Sequence, residues 1–206
     1  MTAAFAALYI ILVQVHYDLT YNRAIPDSER VYLMTLPSLG GSGLKQQSFL
    51  ARPVAEMGLA DNPYVETYGV AALDDANKVN VIVGEGTEAK THSVTFVQMT
   101  SCALKTFGIQ AVMGSFEEIG EGGYVAISET AAERLDVAVD SVLQLESWGR
   151  TNYFVVRAIY KDLPVASDLK NIEVIRCNQL EEQDLNSTSN WSYNYYVKLR
   201  STDDKA

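Results

Sequence analysis

The chain opens on a run with almost no polarity and then changes character. Residues 3–15 (AAFAALYIILVQV) are apolar except for Gln14. A polar stretch, 18–30, follows and carries Pro26-Asp27. Beyond it the apolar positions come in short β-branched and aromatic runs, separated by Gly, Pro, Asn and Asp, which is the spacing of strands. A bilayer-crossing helix needs about 20 apolar residues, and the first run falls short of that. It has three readings: a shortened transmembrane helix, a signal sequence, or a buried core helix. The absence of a basic start and of a small-x-small cleavage site argues against the second. The first is favoured, with 1–16 its remnant.

The pattern predicts strands at 31–36 (VYLMTL, ended by Pro37), 65–73, 79–83 and 94–97, an extended segment at 109–113, and strands at 124–127, 142–145, 153–160, 172–176 and 193–199. A glycine-containing loop is expected at 38–43. Turns are expected at 84–86 and at Asp74-Asp75, the latter a subdomain boundary. The segment 148–152 reads as a hairpin loop. Helices are expected at 49–59, with Pro53 in its first turn, at 101–107 ended by Gly108, and after Ser128. Ser128 stands as an N-cap with Glu129 in the first turn, where the helix dipole favours an anion. Ala131, Ala132 and Leu135 supply that helix's apolar face.

Composition narrows the function classes. Apolar residues are 48% of the 206, enough for a core, and charged residues are 20%, too patterned for disorder. A net charge of −10 with only 16 Lys and Arg excludes a nucleic-acid role of the usual electrostatic kind. The glycines at 38–43 lack phosphate-loop spacing. His16 and His92 are isolated, so no metal site is read. Ser128 lacks the flanking glycines of a nucleophile elbow. Glu117, Glu118 and Glu121, and Glu181, Glu182 and Asp184, read as solvated loop charge rather than paired catalytic carboxylates. Sequons occur at Asn186 and Asn190. Cys102 and Cys177 lack metal or redox spacing. They read as reduced, buried small residues, or as a disulfide in an oxidising compartment. Twelve tyrosines is a high count. Tyr193, Tyr195 and Tyr196, with Trp191, form either cross-strand packing or an aromatic contact surface. No catalytic, cofactor-binding or metal-ligating residue is assigned.

Several short motifs occur in a telling order: Asp27-Ser-Glu-Arg-Val-Tyr32, Asn62-Pro-Tyr-Val-Glu66, Lys105-Thr-Phe-Gly-Ile109, Ala126-Ile-Ser-Glu-Thr-Ala131 and Val155-Val-Arg-Ala-Ile-Tyr-Lys-Asp162. Their order over nearly the whole chain resembles the extracytoplasmic (periplasmic) core domain of MacB-like, FtsX-family ABC transporter permeases. Arg157 and Ala158 stand where that family has Gly-Val, and Val139-Asp-Ser141 replaces its Ile-Gly-Lys turn.

The resemblance implies an α+β, two-lobed fold. A βαβ-type porter lobe would be built from 17–75 and 165–206, with a mostly-β lobe, 76–164, inserted between. It implies a non-catalytic domain at the bacterial inner membrane, exposed to the periplasm and held by the N-terminal helix. Its partners would be a cytoplasmic ATPase on another chain or region, a second permease copy in a homodimer or heterodimer, and a periplasmic partner protein. It would couple ATP hydrolysis to periplasmic events by mechanotransmission, with no cofactor. The alternative is a secreted or lipid-anchored binding module that uses the aromatic C-terminal strand.

Overall fold

The computed structural model describes residues 2–37, 46–84, 89–117, 119–147, 150–180 and 182–204. Several expectations lie outside them: the loop at 38–43, residues 85 and 86 of the turn after 83, Glu118, Trp148 and Gly149 of the hairpin loop, and Glu181. Four α-helices are described: α1 (Thr2–Thr20), α2 (Arg52–Leu59), α3 (Ser101–Thr106) and α4 (Glu129–Leu135). The strands are β1 (Val31–Leu33), β2 (Leu36–Pro37), β3 (Gln46–Gln47), β4 (Phe49–Ala51), β5 (Val65–Val70), β6 (Asn77–Val83), β7 (Lys90–Met99), β8 (Ala111–Gly114), β9 (Tyr124–Ser128), β10 (Val142–Ser147), β11 (Arg150–Tyr160), β12 (Val174–Cys177) and β13 (Trp191–Leu199). The fold is α+β.

Two sheets carry the architecture. In the first, β13 is the hub, pairing antiparallel with β1, β4 and β5. Its alternation puts Tyr195 and Val197 into a core with Leu50, Ala55, Leu59 and Val70. In the second, β10, β6, β7, β12, β9 and β11 pair in that order. A β10–β11 pairing then closes them into a six-stranded barrel, and β8 is added on β11. Closure removes the exposed edges that an open sheet would present.

The barrel interior holds Val81, Val94, Val125, Ile127, Leu143, Phe154, Val156 and Val174. Helix α4 contributes Ala131, Ala132 and Leu135 to the same cluster. Alternate residues of the same strands face outward, among them Ala126, Ile175 and Cys177. That outer layer packs with α3 and the segment that follows α1, through Ala103, Leu104, Phe107 and Ile25. In β11 the register to β9 shifts between Val156 and Ala158. One extra residue, Arg157, changes the alternation, so Phe154 and Val156 point inward while Ala158 and Tyr160 join the outer layer.

The two sheets meet at main-chain distance. Ala71 bridges to Met99, and Thr100 N donates to Val70 O at 2.8 Å. Thr100 Oγ1 in turn accepts from Val70 N at 3.0 Å. Helix α3 therefore starts directly on β5. A Cβ on Gly69 would lie 2.3 Å from Ala103 N, so only glycine fits there. Gly108, at φ 66, ends the α3 turn and abuts the Pro26 ring.

Some expected elements move. The helix expected at 49–59 begins at Arg52, because 49–51 pairs with β13 as β4. Pro53 agrees with this: a helix begun at 49 would lose a hydrogen bond at Pro53 and set its ring against the carbonyl of residue 49. The polar connection expected from 18 starts later, since α1 continues to Thr20. Strand β7 is longer than 94–97, because the polar residues 90–93 complete the ladder to β6. The assignment of 165–206 to one lobe also changes for β12. It runs parallel to β7 and antiparallel to β9, with Val174 inside the barrel and Ile175 outside it. Removing it would open the barrel wall.

Gly69→Ala is expected to lower unfolding stability by about 1–3 kcal/mol through overpacking, read from urea unfolding followed by circular dichroism. An unchanged midpoint would mean that α3 can slide off β5.

Candidate functional site

Where α1 enters the folded body, a short segment is tied to three elements at once. The helix ends with Thr20 Oγ1 donating to His16 O at 2.8 Å and with the Tyr17 and Tyr21 rings 5.7 Å apart. Asn22 then takes a left-handed conformation, φ 63, which Asn adopts more readily than most residues. This turns its backbone and amide toward the loop after β11. Asn22 N donates to Ala166 O at 2.8 Å. Its side chain forms a two-way pair with Asp168: Asn22 Nδ2 donates to Asp168 Oδ2 at 2.8 Å, and Asp168 N donates to Asn22 Oδ1 at 2.9 Å. Tyr21 OH donates to the other carboxylate oxygen at 3.0 Å. The receiving loop is itself fixed by Ser167, whose hydroxyl donates to Pro164 O and accepts from Leu169 N, with Leu169 buried.

A second anchor follows within a few residues. Ile25 is buried in the layer between sheet and barrel. Arg30 Nη1 then donates to Glu66 Oε2 of β5 at 2.5 Å and to Leu199 O of β13 at 2.8 Å, while its Nη2 reaches Asp27 at 2.7 Å. Lys198 of β13, nearly buried, places Nζ 2.7 Å from Asp27 and 3.6 Å from Glu66. Two cations and two carboxylates thus hold residues 27–30 against the first sheet. The hydrogen bonds from Lys198 and then Arg30 pull the Asp27 carboxyl below its ordinary value. The Arg30 bond does the same for Glu66, against the effect of burial.

On the other side of this junction, residues 9–19 of α1 are exposed. Tyr9, Ile10, Ile11, Leu12, Val13, Val15 and Leu19 are all exposed. The buried-core reading of the run therefore does not hold for residues 9–15. No helix among the described residues is long and apolar enough to cross a membrane.

The residues singled out from sequence are scattered. His16 is exposed on α1, and His92 is half-buried within β7, opposite Val81, rather than beside a strand. Ser128 caps α4, accepting from Ala131 N at 3.3 Å. Glu117, Glu121 and Glu182 are exposed. Asp184 corrects the solvated-loop reading: it is buried and accepts from Asn190 Nδ2 at 2.8 Å and from Tyr193 OH. Asn186 is exposed and Asn190 half-buried. Among the described residues no group of three or more His, Cys, Asp and Glu could hold a metal ion.

Tyr195 packs at 6.4 Å from Tyr68 and 6.5 Å from Tyr193, and Tyr196 at 4.9 Å from Phe107 on the other face. The aromatic strand is thus internal packing in the middle of a sheet. Of its aromatics only Trp191 is counted exposed. Burial pushes the Tyr195 hydroxyl well up and the Tyr196 hydroxyl to about 12. Both cysteines are free; Cys177 is buried, and Cys102 is exposed instead of buried. The Asn22–Asp168 and Arg30–Glu66 partnerships were not read from sequence. The left-handed preference of Asn and the isolated Arg30 were the only local signs of them.

Two outcomes follow. Because the folded state depresses Asp27 and Glu66, their pairing is complete above the unfolded carboxylate values, about 4, and is lost as pH falls through the lower folded values. Urea midpoints should drop below about pH 4, and Lys198→Met should flatten that dependence; an unchanged slope would leave the cluster without a role. Native chain should react with a thiol reagent at Cys102 only, since burial pushes the Cys177 thiol up to about 12. Labelling of both thiols before unfolding would contradict the packing.

No protein-family model matches the sequence, and no curated relative matches it. Solved structures do. A domain of a candidate permease protein from Porphyromonas gingivalis superposes with a TM-score of 0.66 over 85% of this chain and 77% of that one, at 19% identity. The extracellular domain of the noncanonic ABC-type transporter YknZ from Gram-positive bacteria aligns over 83% of each chain, with a TM-score of 0.49 and 14% identity. The chain has the fold of the Porphyromonas gingivalis permease domain.

Proposed function

We propose that this chain is the extracytoplasmic domain of a bacterial ABC transporter permease, of the MacB-like, FtsX-family kind. It would be held at the inner membrane by α1 and exposed to the periplasm. The observation that carries the reading is the junction. A helix with apolar, exposed residues at 9–13 passes without a flexible linker into Asn22, Ile25 and Arg30, each fixed to a different part of the body. Such a helix suits lipid or neighbouring apolar helices better than water. The permease fold match supports the same reading.

In this reading the domain is not an enzyme. A cytoplasmic ATPase on another chain or region moves the membrane helices. The junction passes that motion to the body as a rigid lever, and two permease copies open and close around a periplasmic substrate or partner. The body divides into a sheet lobe, 17–75 with the segment from 178 onward, and a barrel lobe, 76–177. Coupling of this kind needs two arrangements with different contacts. The Asn22–Asp168 pair supplies contacts that travel with α1.

The test uses the full transporter, purified from its native membrane in mild detergent. Co-purification of a multi-span polypeptide with an ATPase is expected; a species of this chain's length without an ATPase would overturn the reading. Spin labels on the exposed residues Leu19 and Val165 should keep one distance with and without ATP, while the Val165–Val165 distance between copies changes. Asn22→Gly with Asp168→Ala, which leaves φ at 22 permitted, should broaden the first distance and abolish the ATP response of the second. A Val165–Val165 response that survives the double substitution would refute transmission through this junction.

A further inference from the structure

One half-buried cation takes no part in the junction. Arg176, on β12, lies beside Gln98 of β7 and Val125 of β9 in the ladder. Alternation puts it on the same face as Val174, the inside of the barrel, at the end of the strand. Its guanidinium sits 5.2 Å from the centre of the Phe154 ring. Among the described residues it has no hydrogen-bond acceptor and no ion-pair partner, and its Nε is buried and unpaired. Arg30, Arg52 and Arg134, by contrast, each pair with a carboxylate. A buried N–H such as this Nε is costly unless an acceptor meets it.

The acceptor has room. Arg176 lines a cleft of about 540 Å³ between the barrel and the first sheet. Met99 and Leu180 give it apolar wall, and Gln98, Asn178 and Tyr193 polar wall. Asn178 Nδ2 donates to Gln98 Oε1, which orients the Gln98 amide as a further donor beside Arg176. Gly120 and Gly122 put bare backbone along one side. Glu121, also on the wall, is exposed and forms no ion pair with Arg176. The volume falls within the range of small-molecule sites, roughly 300–1,000 Å³. Apolar wall beside a single unpaired guanidinium fits a ligand with an apolar body and one carboxylate, which a guanidinium meets through two parallel hydrogen bonds.

We propose that this cleft binds the carboxylate of a small amphiphilic ligand, with Arg176 as its counter-ion. The site goes beyond the coupling function proposed above and does not depend on it. It would place ligand recognition at the seam between sheet and barrel.

The experiment is an NMR titration of the whole 206-residue chain in a non-ionic detergent. The probes are N-acetyl-Leu-Ala with a free carboxylate, the same dipeptide as its C-terminal amide, octanoate, and octanamide. The readout is the Arg176 Nε–H resonance together with the side-chain amides of Gln98 and Asn178. Saturable shifts with at least one acid, and binding of the matching amide weaker by about tenfold or more, are expected. Response to the dipeptide acid alone would identify a peptide end as the source, and response to octanoate alone an acyl chain. Arg176→Gln should abolish the acid preference. If neither acid shifts Arg176, or if each amide binds as well as its acid, the proposal fails; that comparison needs only the unsubstituted chain.

Discussion

The structure depends on one close approach, where helix α3 begins on strand β5. Ordinary sheet–helix packing separates backbones by the depth of side chains. Here Gly69 has none, and Thr100 meets Val70 at main-chain distance, its N–H donating to Val70 O and its hydroxyl accepting from Val70 N. The first sheet and the barrel are therefore joined by peptide groups, which have little freedom to slide. Everything else that spans the seam uses this fixed frame: the Ala71–Met99 bridge, the layer of Val97, Met99 and Cys177, and the cleft beside Arg176.

The same frame explains how one short segment can hold α1. Residues 22–30 touch the loop after β11, the outer layer of the barrel and both β5 and β13. Were sheet and barrel free to move against each other, these anchors would pull on the segment in different directions. Joined at Gly69, they act as one surface. Partly exposed ion pairs such as Arg30–Asp27 contribute little alone. Their effect here comes from number and convergence on a single stretch of chain.

Much of the fold was legible because strands declare themselves by composition. The strands at 79–83, 124–127 and 153–160, the cap at Ser128 and the stop at Gly108 all appear close to where the pattern put them. What escaped was set by partners rather than by local sequence. Residues 49–51 look helical until β13 arrives to pair with them, and 90–93 look like loop until β6 does. The barrel's closure depends on a β10–β11 pairing and on β12 slotting between β7 and β9, neither visible in periodicity. The junction was hidden for the same reason: Asn22 and Asp168 are 146 residues apart, and each alone is an ordinary polar residue. Asp184 shows the limit of reading charge as surface, because its burial depends on Tyr193 and Asn190 closing over it.

Strand β13 is the centre of the first sheet and comes last in the chain. Its partners β1, β4 and β5 all lie in the first 70 residues, and none of them pairs with another. As the chain is made, those three strands must wait for β13, residues 191–199, to emerge. The barrel is different, because its first hairpin, β6–β7, can form as soon as it appears. Synthesis should thus produce a barrel-first intermediate with sticky N-terminal strands beside an apolar helix, a form prone to mispairing. The first sheet can therefore assemble only after its central strand, β13, has arrived.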